Sequence, residues 1–378
     1  MEQPGYKSKT NSNKKRNKKN NNNNSGGDIL GIHHVTAIAS DPQKNIDFYT
    51  QILGLRLVKL TVNFDDPTTY HLYYGDELGR PGTILTFFPW PNAPKGRRGT
   101  GQVVATSFLI PENAIDFWLN RLTEGGVGFT RPAKRFDNEE QVITFYDPDG
   151  LELELVAHKS AEDRMNNIWK GSPIPIEHAI RGFYSLTLSE EGYERTASVL
   201  TEQLGFHPTR EEGSRFRYEI AGKAKTNGGS TGSIVDVVCL PYTQRGFIGV
   251  GTVHHVAWRT PTDQQQSVLR NRVVRAGLNA TPVIDRIYFH SVYFREPGGV
   301  LFEIATNPPG FTIDEKQEDL GTHLMLPPWL ESDRNDLQKL LPKINLPSLG
   351  KSVATAAATT TATSMTAKEK ETKEKQQE

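Results

Sequence analysis

The sequence predicts an α+β protein built from four copies of one βαβββ module, and three observations carry that reading. Four amphipathic stretches each stop at a glycine, Gly54, Gly125, Gly205 and Gly277, at intervals of 71, 80 and 72 residues. Each follows one alternating apolar segment and precedes several more, the period-2 mark of strands around a helix. Two similar turns, Asp147-Pro148-Asp149-Gly150 and Glu296-Pro297-Gly298-Gly299, then feed the last strand of the second and fourth copies. Repetition at so long an interval points to a supersecondary unit used several times.

In the first module Gly31 to Ser40 alternates as a strand. Asp41-Pro42 supplies a cap and a first-turn proline, Ile46, Tyr49, Ile52 and Leu53 share one helix face, and Gly54 ends the helix. The second repeats this with Val103 to Ile110, Pro111, the stripe Ile115, Trp118, Leu119 and Leu122, and Gly125-Gly126. The third offers Phe183 to Leu188, a Ser189 cap, Leu200, Leu204 and Gly205. The fourth offers Val253 to Trp258, then Val268, Leu269, Val273 and Gly277.

The remainder divides by composition. Residues 1–27 read as a disordered basic Asn/Lys-rich tail, since they hold too little apolar surface to offset ordering entropy. Their cluster Lys14-Lys15-Arg16-Asn17-Lys18-Lys19 has the look of a nuclear address, but a solvated low-complexity tail explains it more simply. Modules one and two occupy 28–160, and a linker with modules three and four occupies 161–310. Residues 311–350 form a C-terminal wrap or lid, with Leu326-Pro327-Pro328-Trp329-Leu330 able to lie across a cleft, and 351–378 form a disordered tail.

The whole chain is 378 residues with zero net charge, 36% hydrophobic and 23% charged. The balance is uneven: seven Lys or Arg face one Glu in 1–27, and five Lys face four Glu in 351–378, leaving an excess of seven acids between. An acidic core excludes a nucleic-acid surface. No apolar run reaches the roughly 20 residues of a bilayer helix, and the start lacks a signal peptide's apolar stretch, so a cytoplasmic protein is expected. The single cysteine, Cys239, in Val237-Val238-Cys239-Leu240 reads as a packing thiol of a buried strand.

Chemistry enters through three good metal ligands at matching places in the repeat. His33-His34 and Thr252-Val253-His254-His255 stand on the opening strands of modules one and four. A glutamate stands four residues past the last glycine of the final turn in modules two and four, Glu154 and Glu303. The same count gives Thr86 in module one and Asp236 in module three. Matching opening positions are His34, Val103 or Val104, Phe183 and His255. Only modules one and four bring histidines, so a complete site requires those two to pair, leaving two and three to each other. Glu303 in Val300-Leu301-Phe302-Glu303-Ile304 would be costly to bury without a partner, whereas Glu154 and Asp236 read as relics or structural acids. Two histidines and one carboxylate make the facial set that leaves neighbouring positions open on Fe(II), and Mn or Zn would also accept them. Neighbours on a strand face opposite ways, so one histidine of each pair would bind; periodicity alone leaves open which.

The four modules, both His-His-Val strands and the Glu-Pro-Gly-Gly-x-x-x-Glu ending resemble the vicinal oxygen chelate (glyoxalase/extradiol dioxygenase) superfamily. Within it, the chain is similar over roughly residues 30–335 to hydroquinone 1,2-dioxygenases and ring-cleaving dioxygenase proteins. The resemblance implies two curved half-barrel sheets, with modules one and four paired and modules two and three paired. It implies Fe(II) bound by His34, His255 and Glu303, and supporting catalytic roles for His33, His254, Arg286 and Tyr293. It further implies a small aromatic substrate, a hydroquinone or similar diol, together with O2, and leaves a homo-oligomer open. Two other classes are consistent with the fold: a glyoxalase-like isomerase or lyase, which would want an acid where Thr86 stands, and a non-catalytic binder of aromatic or quinone compounds.

Overall fold

Each of the four repeats folds as strand, helix and three strands in the computed structural model, which describes residues 29–166, 168–220 and 232–347. The tails at 1–27 and 351–378 lie outside the described residues. Module one comprises β1 (Ile32–Ala39), α1 (Pro42–Asp47), β2 (Arg56–Asn63), β3 (Asp66–Gly75) and β4 (Ile84–Pro89). Module two comprises β5 (Gln102–Ile110), α2 (Ile115–Glu124), β6 (Ala133–Arg135), β7 (Glu140–Tyr146) and β8 (Glu152–Ala157). Module three comprises β9 (Phe183–Glu190), α3 (Glu194–Ser198), β10 (Phe206–Glu212), β11 (Arg215–Ile220) and β12 (Ile234–Cys239). Module four comprises β13 (Val253–Thr260), α4 (Asp263–Arg275), β14 (Ile284–Asp285), β15 (Phe289–Arg295) and β16 (Leu301–Pro309).

The modules pair as the histidines require. One eight-stranded sheet runs β14-β15-β16-β13-β1-β4-β3-β2 and the other β10-β11-β12-β9-β5-β8-β7-β6. Both curve into half-barrels, the first from modules one and four, the second from two and three. At the centre of the first, β1 and β13 pair antiparallel, and each is flanked by the closing strand of its own module in parallel.

Local sequence explains the repeated pieces. Asp41 accepts hydrogen bonds from the Gln43 and Lys44 amides at 2.8 and 3.1 Å and starts α1, which widens into a π-helical turn over Phe48–Ile52. Gly54 ends it at φ +68, where a Cβ would meet Ile174 and Ser172 at 2.4 Å. The acids that open the repeated turns close them too. Asp147 accepts from the Asp149 and Leu151 amides, Glu296 from those of Gly298 and Val300. Each also takes a hydroxyl from the preceding module's helix, Tyr49 for Asp147 and Thr196 for Glu296, at 3.0 and 2.7 Å.

Three local expectations are corrected. Ser189 is the penultimate residue of β9 rather than a helix cap; α3 starts at Glu194 after a turn. Val268 is 41% exposed, and Gln266 takes the inner face of α4, donating to the His290 and Ile304 carbonyls at 2.7 Å. A polar side chain thus holds that helix, which hydropathy could not show. Cys239 is half-buried, because β12 ends there.

The chain after β16 packs on the first half-barrel. Lys59 of β2, fully buried, forms ion pairs with Asp314 at 2.6 Å and with Glu315. Met325 donates its amide to the Leu60 carbonyl, and α5 (Arg334–Leu340) follows.

Candidate metal centre

Register decides which side chains meet. His34 lies opposite Ala257 and Thr36 opposite His255 across β1 and β13, so the two imidazoles are diagonal neighbours on one face. Glu303 lies beside Ala257 on β16, and that small residue leaves room at the middle of the three. His34 Nε2 and His255 Nε2 are 3.4 Å apart, and Glu303 Oε2 is 3.2 Å from the first and 3.0 Å from the second. All three residues are buried.

Each histidine pair sits at an irregularity in the ladder. Ile32 opposes Trp258 while His34 opposes Ala257, leaving His33 without a cross-strand partner; Thr36 opposes His255 while Ala37 opposes Val253, leaving His254 without one. Such β-bulges re-aim a side chain. Here they turn the first ring of each pair beside the second: the Nδ1 atoms of His33 and His34 are 3.0 Å apart, those of His254 and His255 2.8 Å. Strict alternation across the pleat does not apply at either pair.

The tautomers follow from the partners. His33 Nε2 lies 3.0 Å from the Thr306 carbonyl, which can only accept, so that nitrogen carries a hydrogen. Burial, with the neighbouring His34, holds His33 far below the usual imidazole range and therefore neutral. Its Nδ1 then accepts from His34 Nδ1–H, and the lone pair of His34 falls on Nε2, inside the triangle. In the second pair one Nδ1 donates and the other accepts; a metal held by His255 Nε2 would require His255 Nδ1–H to donate to His254. Burial and then His255 depress His254 to about 3, leaving it neutral as well.

A cation fits these residues. Two lone pairs and a carboxylate oxygen converge at 3.0 to 3.4 Å, edges compatible with a shared coordination sphere of about 2 Å bonds. Glu303 Oε2 is buried with no hydrogen-bond partner, and Ser291 Oγ donates to Oε1 at 2.5 Å, so one carboxylate oxygen is occupied and the other left for the triangle.

Beside the triangle is a cavity of about 450 Å³ lined by His34, His255, His71, Tyr73, Phe88, Trp90, His254, Phe289, Tyr293, Arg286 and Leu301, with the turn Asn63 to Asp66 at its rim. Arg286 Nε donates to the Tyr293 hydroxyl at 3.3 Å. Burial, followed by Glu303, raises Tyr293 and keeps its hydroxyl protonated. Of the supporting residues named from sequence, His254, Arg286 and Tyr293 reach the cavity, whereas His33 lies behind His34 with both ring nitrogens engaged. The Leu326 to Leu330 strap does not line the cavity; Trp329 meets Phe64 of the rim edge-on at 5.7 Å.

Sequence reasoning passed over His71, which no other module repeats. Its Nε2 is 2.8 Å from Thr86 Oγ1 and its Nδ1 2.9 Å from the Tyr73 hydroxyl, while Thr86 donates to Thr36 at 3.0 Å. Thr86, at the position matching Glu303, is thereby committed to side-chain hydrogen bonds. Ser291 was also missed; its only sequence signal was a hydroxyl two residues before Tyr293.

In the second half-barrel the equivalent places hold no histidine. By register the opening positions are Ala105 and Ser185, two residues beyond Val103 and Phe183, because the turns differ in length. Glu154 accepts from Arg135 at 3.0 Å and Ser107 at 2.7 Å, and Asp236 from Arg217 at 2.7 and 2.9 Å and Arg215 at 3.0 Å. Guanidinium groups from β6 and β11 thus engage both carboxylates of the second sheet.

Comparison with known proteins follows the same lines. The Glyoxalase/Bleomycin resistance protein/Dioxygenase superfamily profile matches residues 31–155. A Bacillus subtilis (strain 168) protein carrying the name ring-cleaving dioxygenase MhqO is 46% identical over 83% of this chain and 96% of its own length. The chlorohydroquinone/hydroquinone 1,2-dioxygenase of Sphingobium indicum is 34% identical over 82% of this chain and 95% of its own. A crystal structure described as a dioxygenase of Bacillus subtilis is 44% identical, superposes with a TM-score of 0.78, and covers 85% of this chain and 99% of that one.

Proposed function

The chain belongs to the ring-cleaving dioxygenases of the glyoxalase/bleomycin resistance protein/dioxygenase superfamily, and from that premise we propose that it opens the ring of a hydroquinone or similar aromatic diol with O2, using Fe(II) held by His34, His255 and Glu303. The observation that carries the reading is the triangle: two Nε2 lone pairs and one free carboxylate oxygen within 3.4 Å, buried at the floor of an aromatic-walled cavity. A metal held by these three residues would supply Lewis-acid and one-electron chemistry toward a phenolic oxygen and O2.

The protein's own groups do the rest. Phe88, Trp90 and Phe289 offer faces and edges for a planar ring. With Nδ1 accepting from His255, His254 turns an Nε2–H toward the cavity, a donor for an oxygen that gains negative charge. Tyr293 presents a protonated hydroxyl backed by the Arg286 guanidinium, so the pair can give and recover a proton at a substrate oxygen. His33 supports His34 from behind.

A glyoxalase-type isomerase would require a second acid near the metal, and the matching place holds Thr86, tied to Thr36 and His71. The test is oxygen uptake on adding hydroquinone to protein loaded with Fe(II) without air. Uptake should be present in the native protein and lost in His255→Ala and Glu303→Ala. Absence of uptake with every aromatic diol from metal-loaded native protein would sink the reading.

A further inference from the structure

Arg286 is the one cationic side chain among the described residues lining the cavity, and its charge is already spent. Asp65 accepts from both of its terminal nitrogens, Oδ1 from Nη1 at 3.2 Å and Oδ2 from Nη2 at 3.0 Å. The two residues come from opposite ends of the sheet. Asp65 sits in the turn between β2 and β3, at one edge, and Arg286 just after β14, at the other. A two-point bond between them therefore closes the open side of the half-barrel over the cavity's rim.

The local backbone on each side is built to present these groups. Asn63 Oδ1 accepts the Asp65 amide at 3.0 Å and shapes its turn. On the other side Ile287 adopts φ 68, a conformation that a β-branched residue rarely takes. Its amide donates to Asp285 Oδ1 at 2.7 Å, and the Tyr288 amide donates to the Arg286 carbonyl at 2.8 Å. Backbone strain of this kind persists only where its surroundings enforce it, and here it turns Arg286 inward to Tyr293. Asp66, held by the Thr68 and Thr69 hydroxyls, adds a second carboxylate to the rim.

We infer that Asp65 is a specificity-determining and positioning residue: it neutralises and aims Arg286 across the cavity mouth, so the site selects uncharged aromatic diols and rejects rings that carry a carboxylate. The inference rests on the ring-cleaving reading for its substrate class. A planar guanidinium in an aromatic cavity would otherwise take an aromatic carboxylate as a two-point partner. Asp65 occupies both points first. Its side chain is 73% exposed, so salt screens the pair and the selection it imposes should weaken as ionic strength rises.

The test compares native protein, Asp65→Asn and Asp65→Glu with two probes, hydroquinone and 2,5-dihydroxybenzoate, which differ by one carboxylate. Binding to metal-free protein is read from fluorescence, because Trp90 lines the cavity. Turnover is read separately from oxygen uptake by the Fe(II) form. Asp65→Asn should shift the binding preference toward 2,5-dihydroxybenzoate by roughly tenfold, the scale set by one freed charged partner. It should also lower kcat for hydroquinone, through an Arg286 no longer held against Tyr293. Asp65→Glu should restore both in part. An unchanged preference, or no binding of either probe by Asp65→Asn that melts like the native protein, overturns the inference. Failure of the native protein to consume oxygen would instead remove the ring-cleaving reading, while the binding preference would still report on Asp65.

Discussion

Ser291 stands two residues before Tyr293 on β15, and its hydroxyl lies 2.5 Å from Glu303 Oε1, on the strand next to the carboxylate that it orients. It shares this work with His33 and His254, which engage the far nitrogens of the other two ligands. The three proposed ligands thus have three supporting partners.

Ser291→Ala frees the Glu303 carboxylate to rotate. Metal affinity should fall by about 10- to 100-fold, the usual cost of removing a group that orients a ligand. Competition with a chelator, followed by metal analysis, measures it; unchanged affinity would show that packing alone holds Glu303.

His33→Ala should weaken metal binding by a similar factor, about 10- to 100-fold. KM for the aromatic substrate should stay the same once metal is saturating, since His33 does not line the cavity. A raised KM with native metal content would place His33 in substrate contact and contradict the geometry.

Arg217 is buried between Asp236 and Glu140 in the second half-barrel. Arg217→Met takes the cation from buried Glu140, leaving it the Tyr184 hydroxyl, and leaves Asp236 with Arg215 alone; it should cost about 3 kcal/mol in urea unfolding. Metal content per folded molecule should not change, because the first half-barrel carries the site alone.

Lys59→Ala removes the cation that ties Asp314 and Glu315 to β2. Destabilisation of about 3 kcal/mol is expected, with earlier proteolysis after residue 310 than elsewhere in the chain. Uniform resistance of that segment would mean that the Met325 amide and the apolar contacts suffice to hold it.

Glu190 is buried near Glu296, and burial followed by that neighbour pushes its carboxyl up to about 8. An acid whose folded value exceeds its unfolded one, near 4.5, binds more protons in the native state. Its contribution to stability is therefore full below about pH 4.5 and is lost as pH rises through about 8. Glu190→Gln, which cannot ionise, should gain on the native protein across that window, by about 4 kcal/mol at pH 8.5 relative to pH 5. Melting curves at the two pH values decide it; a constant difference would show that Glu190 does not titrate there.

Much of this was legible in the sequence, for reasons that differ by element. Helix stripes ending at Gly54, Gly125, Gly205 and Gly277 report local energetics, and local energetics repeat with the module. That one histidine of each pair belongs with Glu303 followed from counting, since a repeat places equivalent residues at equivalent points of its sheet; that it is the second, His34 and His255, was implied by the family resemblance. Counting misses the opening positions of modules two and three, where it gives Val103 or Val104 and Phe183 and the register gives Ala105 and Ser185.

By itself, then, the chain determined the four modules, the pairing of first with fourth, and the residue types at the site, because each depends on short-range pattern and on the cost of burying an unpaired charge. Tertiary structure alone decided how those residues face one another. The bulges at His33 and His254 arise in the pairing of β1 with β13, strands separated by more than 200 residues, and no periodicity within either strand contains them. The same is true of His71 against Thr86 and of Asp65 against Arg286: hydrogen bonds and ion pairs between distant segments depend on register and curvature, which the chain settles only when both sheets close.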